Sequence, residues 1–151
     1  MGYNRQAAVN YAKRWWNGRN PEYYDFQQLG GDCTNFISQC LYAGYGEMNR
    51  SEWYYYALNS RSPSWTGVEF LHDFLVRNRG AGPRASERPL PMAQIGDIVQ
   101  LSFDGDMFSH SLLVVDKSPT DTLIAAHTYD SYARSLRTYY FQKARLLAIA
   151  D

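Results

Sequence analysis

Apolar residues in the first half of the chain recur at helical spacing, and in the second half they gather into short runs. From Tyr3 to Asn17, Ala8, Tyr11, Ala12 and Trp15 fall on one face, Asn4 stands where a cap belongs, and Gly18 follows, so a helix is predicted. A polar, tyrosine-rich loop runs from Arg19 to Gly31. A second helix is predicted to start near Cys33, capped by Asp32, with Phe36, Ile37, Cys40 and Leu41 as its apolar stripe and Gly44 as its stop. Thr66 and Glu69 have the spacing of a capping box; Val68, Leu71, Phe74 and Leu75 continue it, and Arg77, Arg79 and Gly80 close a third helix. Gly80 to Pro91, rich in Gly, Pro and charge, reads as a connector. Beyond it, Ile98 to Phe103, His110 to Val115, Thr122 to His127, Arg137 to Phe141 and Leu146 to Ile149 have strand character. Helices followed by strands predict an α+β domain with helices packed on an antiparallel sheet and a cleft where the halves meet.

Composition narrows the classes of function. The 151 residues fit one domain, residues 1–151, large enough to hold a core without staples. Fifteen basic residues balance fifteen acidic ones and are scattered, so no field suited to a phosphate backbone is present and no nucleic-acid partner is expected. No apolar run approaches the ~20 residues of a membrane span, and Met1 to Gln6 lack the layout of a signal peptide. An extracellular or cell-wall setting is expected if the chain is a domain cut from a secreted protein, and a cytoplasmic one if Met1 is native.

Cys33 and Cys40 lie seven positions apart on one predicted helix, ~10 Å of rise, too far for a bridge. Both are expected to be free thiols. Cys40 falls within the apolar stripe, whereas Cys33 follows Gly30-Gly31-Asp32 at a helix start, where free amides and the helix dipole favour a thiolate and hold an oxyanion. If the turn between the strands of His110 and His127 is centred at Ser118-Pro119, Val115 faces Thr122, Leu112 faces Ala125, and His110 faces His127. A slip of one residue destroys that pairing. Cys33 as nucleophile, His110 as base and His127 as orienting group then form a thiol triad, with Asp130 as the alternative third member. His72, inside the third helix, is assigned a structural or surface role.

Gly30-Gly31-Asp32-Cys33-Thr34-Asn35-Phe36-Ile37-Ser38-Gln39-Cys40-Leu41 resembles the signature of an amidase-like domain family of Gram-positive bacteria, related to the NlpC/P60 and CHAP peptidases. The resemblance continues through Tyr3, Arg5, Ala7, Ala8, Tyr11 and Ala12, Asn20-Pro21, Trp65, Ile95 to Val99, Ser109 to Ser111 and Ala126 to Thr128. It implies a papain-like fold with a helix-borne Cys, a strand-borne His and a polar third residue on the next strand, roles that map onto Cys33, His110 and His127. It further implies cleavage of amide bonds in cell-wall peptides, with a peptide or muropeptide substrate and no cofactor. Asp32 is the candidate for reading a free substrate amine. Trp65, Tyr129 and Asp130 complete the candidate substrate-binding set. The family's terminal glycine pair is interrupted here as Gly44-Tyr45-Gly46, and the 151 residues contain no wall-binding repeat.

Two other classes compete. Cys33, His110 and His127 have the composition of a three-ligand zinc site, although Cys-x-x-Cys and His-Glu-x-x-His spacings are missing. A non-catalytic module would use an aromatic groove, including Trp53, Tyr54, Tyr55, Tyr56, Trp65 and Tyr129, to hold sugars or peptides. Acyl transfer to an amine would use the same triad as hydrolysis.

Overall fold

The computed structural model describes residues 2–151; Met1, on which the question of a native start turns, lies outside them. Helix α1 (Arg5–Trp15) is capped by the Asn4 side chain, which accepts from the Ala7 amide, and buries Ala8, Val9 and Ala12. Helix α2 (Cys33–Tyr45) buries nearly its whole length and ends at Gly46, whose φ of 83° suits the left-handed cap. Gly44, expected to stop α2, instead lies inside it. A Cβ there would fall 2.6 Å from the Tyr3 ring and 2.8 Å from the Asn4 carbonyl, so glycine is what lets the start of α1 reach α2.

A small hairpin, β1 (Tyr55–Ala57) and β2 (Ser60–Arg61), precedes α3 (Pro63–Thr66) and α4 (Val68–Arg77). The predicted capping box does not form. Thr66 closes α3, Gly67 is extended between the two helices, and Glu69 turns to Arg145 at 2.8 Å. The predicted connector also carries a strand, β3 (Ala85–Arg88).

Strands β4 (Ile98–Ser102), β5 (His110–Ser118), β6 (Asp121–Ala126), β7 (Ser131–Ser135) and β8 (Lys143–Ile149) join β3 in a six-stranded antiparallel sheet of order β3-β8-β4-β5-β6-β7. The strand expected over Arg137 to Phe141 lies earlier, at β7, and a 3₁₀ turn, Leu136–Thr138, follows it. Helices cover one face, where Phe36, Ile37, Leu41, Leu71 and Leu75 share a core with Ile98, Leu113, Val115 and Leu147. The other face buries Val99, Leu101, Leu112, Val114, Ile124 and Leu146 under Leu136, Leu90 and Tyr139. Strands covered on both sides read as continuous apolar runs rather than alternations, which is why β4 and β5 stand out in the sequence.

Arg5 and Asp97 lock α1 to the sheet. Arg5 meets the buried Asp97 carboxylate at 2.8 Å and donates to the Ile95 and Ile149 carbonyls; Asp97 also accepts from the Gln94 and Ile149 amides. Among the described residues, no helix is long and apolar enough to cross a membrane.

Candidate active site

Gly30 and Gly31, at φ 84° and 99°, turn the chain so that α2 starts on Cys33. Cys33 is half-buried and Cys40 fully buried, and both are free. The Cys33 sulfur lies 3.7 Å from the Thr34 hydroxyl, and the nearby Ser111 and Thr34 backbones favour its thiolate. Burial outweighs these donors and raises the thiol pKa, so the expected shift towards a resting thiolate is not realised. His110, beginning β5, adjoins Ser111, so the sulfur sits beside the backbone of the base-bearing strand.

The predicted pairing of the two histidines does not occur. The hairpin turns at Pro119-Thr120 instead of Ser118-Pro119, and an extra residue at Val115 bulges β5, so Leu113 faces Ala125 and Lys117 faces Thr122. Continued, this register brings His127 beside Ser111, one residue off the expected His110. Successive strand residues point to opposite faces, so the rings separate. His127 stacks on Phe36 on the helix side, centroids 3.9 Å apart, whereas His110 packs by Phe103 and Tyr139 on the other side.

His110 is 7% exposed. Desolvation, helped by the positive charge of Arg134, lowers its pKa to about 4, so the ring is neutral at physiological pH and free to accept a proton. The Arg134 guanidinium lies 3.7 Å from the Tyr139 ring centre, and the buried Tyr139 hydroxyl has no hydrogen-bond partner among the described residues. Tyr139 and Arg134 surround the candidate base without having been signalled by any sequence motif.

Asp32 holds the N-cap position of α2 but does not cap it with its side chain. Its buried carboxylate accepts from the Phe26 amide at 2.8 Å and the Asn35 amide at 2.9 Å, pairs with His127 Nδ1 at 2.5 Å, and lies 3.7 Å from Arg19 Nε. Three protein groups already engage this buried carboxylate, so a substrate amine, the partner expected for it, would have to compete with them. His127 Nε2 lies 2.8 Å from the Trp15 carbonyl, so the ring joins α1, α2 and the β6–β7 turn rather than orienting His110. Arg19 also grips Asp130 at 2.9 and 3.2 Å and Asp25 at 3.2 Å, so Asp130 too is engaged away from His110. No local pattern marked Arg19, whose partners lie on three separate segments.

Trp65 is fully buried, donating to Asn35 and packing on Trp53, Tyr23 and Tyr55, so it lines no groove. Half of the expected aromatic groove is thereby core, with Trp53 and Tyr55 buried as well, Tyr54 half-buried and Tyr56 exposed. Tyr129 is 85% exposed, on a turn where Thr128 and Tyr129 have φ of 65° and 55°. That turn abuts the cysteine loop, since a Cβ on Gly31 would lie 3.8 Å from Thr128 Oγ1.

The donor atoms of Cys33, His110 and His127 do not converge on a common point, and both nitrogens of His127 are occupied, so these residues do not form the zinc site considered above. Glu69, His72 and Asp73 do bring donor atoms within 4.8 Å of one another. Each already has a partner: Glu69 has Arg145, and His72 lies between Asp73 and Glu87.

Comparison with known proteins agrees with the motif around Cys33. Residues 2–149 match the Putative amidase domain. A Bacillus subtilis (strain 168) relative, Uncharacterized protein YhbB, is 40% identical over 143 residues, 87% of this chain and 43% of its own length. The chain therefore spans less than half of that relative. No solved structure matches. With the match running from the start of the described residues to the end of β8, the chain belongs to the Putative amidase domain family.

Proposed function

We propose that the chain is a single papain-like domain, related to the NlpC/P60 and CHAP enzymes, that hydrolyses amide bonds of cell-wall peptides through Cys33. The observation that carries this reading is the half-buried Cys33 sulfur at the first turn of α2, beside the His110-Ser111 backbone. The family description points to amide hydrolysis, and a thiol at a helix start supplies a nucleophile for it.

Because the resting pair is a thiol and a neutral imidazole, the proton moves as the sulfur attacks. His110 takes it, the sulfur bonds to the carbonyl carbon, and free amides of the first turn of α2, Cys33 among them, receive the developing oxyanion. Protonated His110 then gives the proton to the departing amine as the C–N bond breaks, leaving a thioester. Water, deprotonated by His110, releases the acid and restores the thiol. Reaching the sulfur requires the His110 ring to turn from its Tyr139 side.

Within it, His127 and Asp32 support the start of α2, and exposed Tyr129 borders the substrate at the neighbouring turn. The test is digestion of defined peptidoglycan fragments, read by mass spectrometry. New amine and carboxyl termini are expected from the native chain and none from Cys33→Ala; equal products from both would refute the proposal.

A further inference from the structure

A line of buried polar side chains crosses the interface between α2 and the sheet, and it ends at the cysteine. Arg145 on β8 donates from Nε and Nη2 to Gln100 Oε1 at 2.9 and 2.7 Å, and its Nη2 also meets Glu69 at 2.8 Å. Gln100 Nε2 donates to the Val68 carbonyl and to Ser111 Oγ, both at 3.1 Å. Ser111 Oγ lies 3.0 Å from Thr34 Oγ1, which lies 3.7 Å from Cys33 Sγ. Gln100 and Ser111 are fully buried and Thr34 nearly so.

The hydrogens in this line have one consistent direction. A guanidinium only donates, so Arg145 fixes Gln100 with its oxygen outward and its NH₂ towards Ser111. Ser111 therefore accepts from Gln100. Its own proton has a single acceptor within reach among the described residues, Thr34 Oγ1, so Thr34 accepts in turn and its proton is left for the sulfur. Donors aligned in series polarise one another, and the series starts on a full positive charge.

We infer that Arg145, Gln100, Ser111 and Thr34 form a one-way donor relay that delivers a hydrogen bond to the Cys33 sulfur and stabilises its thiolate. All four are positioning residues, acting on the nucleophile through the interface between α2 and the sheet. Glu69 holds the relay's origin at the surface, and Phe108 covers it, its ring centre 3.9 Å from the Arg145 guanidinium carbon. The titratable group acting on the sulfur is Asp32, whose charge opposes thiolate formation; the His110 ring, on the adjoining strand, is turned to Phe103 and Tyr139, and His127 is turned to Asp32.

This deepens the reading of Cys33 as nucleophile, yet its test reads the sulfur itself, so relay and amide hydrolysis can fail separately. The experiment follows the rate of iodoacetamide alkylation of Cys33 against pH, peptide by peptide, with buried Cys40 as an internal control for an intact core. Ser111→Ala and Thr34→Val are expected to raise the midpoint by about one pH unit, a roughly tenfold loss of thiolate below it, whereas Thr34→Ser keeps the native midpoint. Gln100→Glu retains the pairing with Arg145 but turns an acceptor towards Ser111, reverses the line, and raises the midpoint likewise; it carries the test if Ser111→Ala does not fold. A shift in Thr34→Val alone, with Ser111→Ala and Gln100→Glu native, would overturn the relay, as would a native midpoint in Thr34→Val.

Discussion

Replacing Asp32 by Ala separates a structural carboxylate from a substrate-reading one. In the fold it satisfies the Phe26 amide and the Asn35 side chain, and it pairs with His127 Nδ1 at 2.5 Å with the Arg19 guanidinium nearby. Removing one partner of such a buried network costs about 3–5 kcal/mol, because the donors left behind lose compensation without regaining water. Taking about 4 kcal/mol and a shift of roughly 2–4 °C per kcal/mol for a chain of this size, Tm should fall by about 8–16 °C. Asp32→Asn, which keeps an oxygen for Phe26 and Asn35 but loses the charge, should fall by about half as much. Thermal unfolding followed by circular dichroism measures both. A loss below ~3 °C in Asp32→Ala would refute this structural role, because such a change corresponds to about 1 kcal/mol, far less than an uncompensated buried pair costs.

Burial of His110 makes stability depend on pH with a definite sign. Its folded pKa of about 4 lies below its unfolded value near 6.5, so the unfolded chain binds the extra proton between them, and stability falls by up to about 3 kcal/mol as pH drops through that window. Denaturant titrations at pH 7 and pH 4 should show this component in the native chain and lose it in His110→Phe; an unchanged slope in the variant would contradict it. Tyr139→Phe removes a buried hydroxyl that has no partner among the described residues, so its stability in urea should match or exceed the native value, by up to about 1 kcal/mol, and a loss above that would reveal a bond the hydroxyl makes in solution. Gly44→Ala forces a methyl group against Tyr3 and the Asn4 carbonyl, and a cost of about 1–3 kcal/mol is expected in the same titration; native stability would show that the two helices are not in close contact there.

The helices and core strands were legible because their signals are local. Asn4 caps α1, and the unbroken apolar content of β4 and β5 follows from burial on both faces. The polar edge strands were not. Ser131–Ser135 holds a single half-buried tyrosine among polar residues and has Ala133 at φ 54°, while Ala85–Arg88 becomes a strand only because β8 offers it an edge. The thiol's place at the start of α2 was readable from Gly30-Gly31-Asp32, but its neighbours depended on hairpin register. One bulged residue at Val115 and a turn moved by one position sent His127 to the helix side, where Asp32 meets it. Gln100 and Ser111, polar residues within apolar strands, were the visible trace of the buried line behind Cys33.

In the proposed reaction, Cys33 forms the acyl-enzyme. Intact-protein and peptide mass spectrometry of the native chain, quenched in acid during turnover of a defined muropeptide, tests it most directly. A mass increase equal to the acyl portion of the substrate is expected, located on the Cys33 peptide and missing in Cys33→Ala, which also releases no product. Turnover by Cys33→Ala at the native rate, or an acyl adduct on another residue, would contradict it.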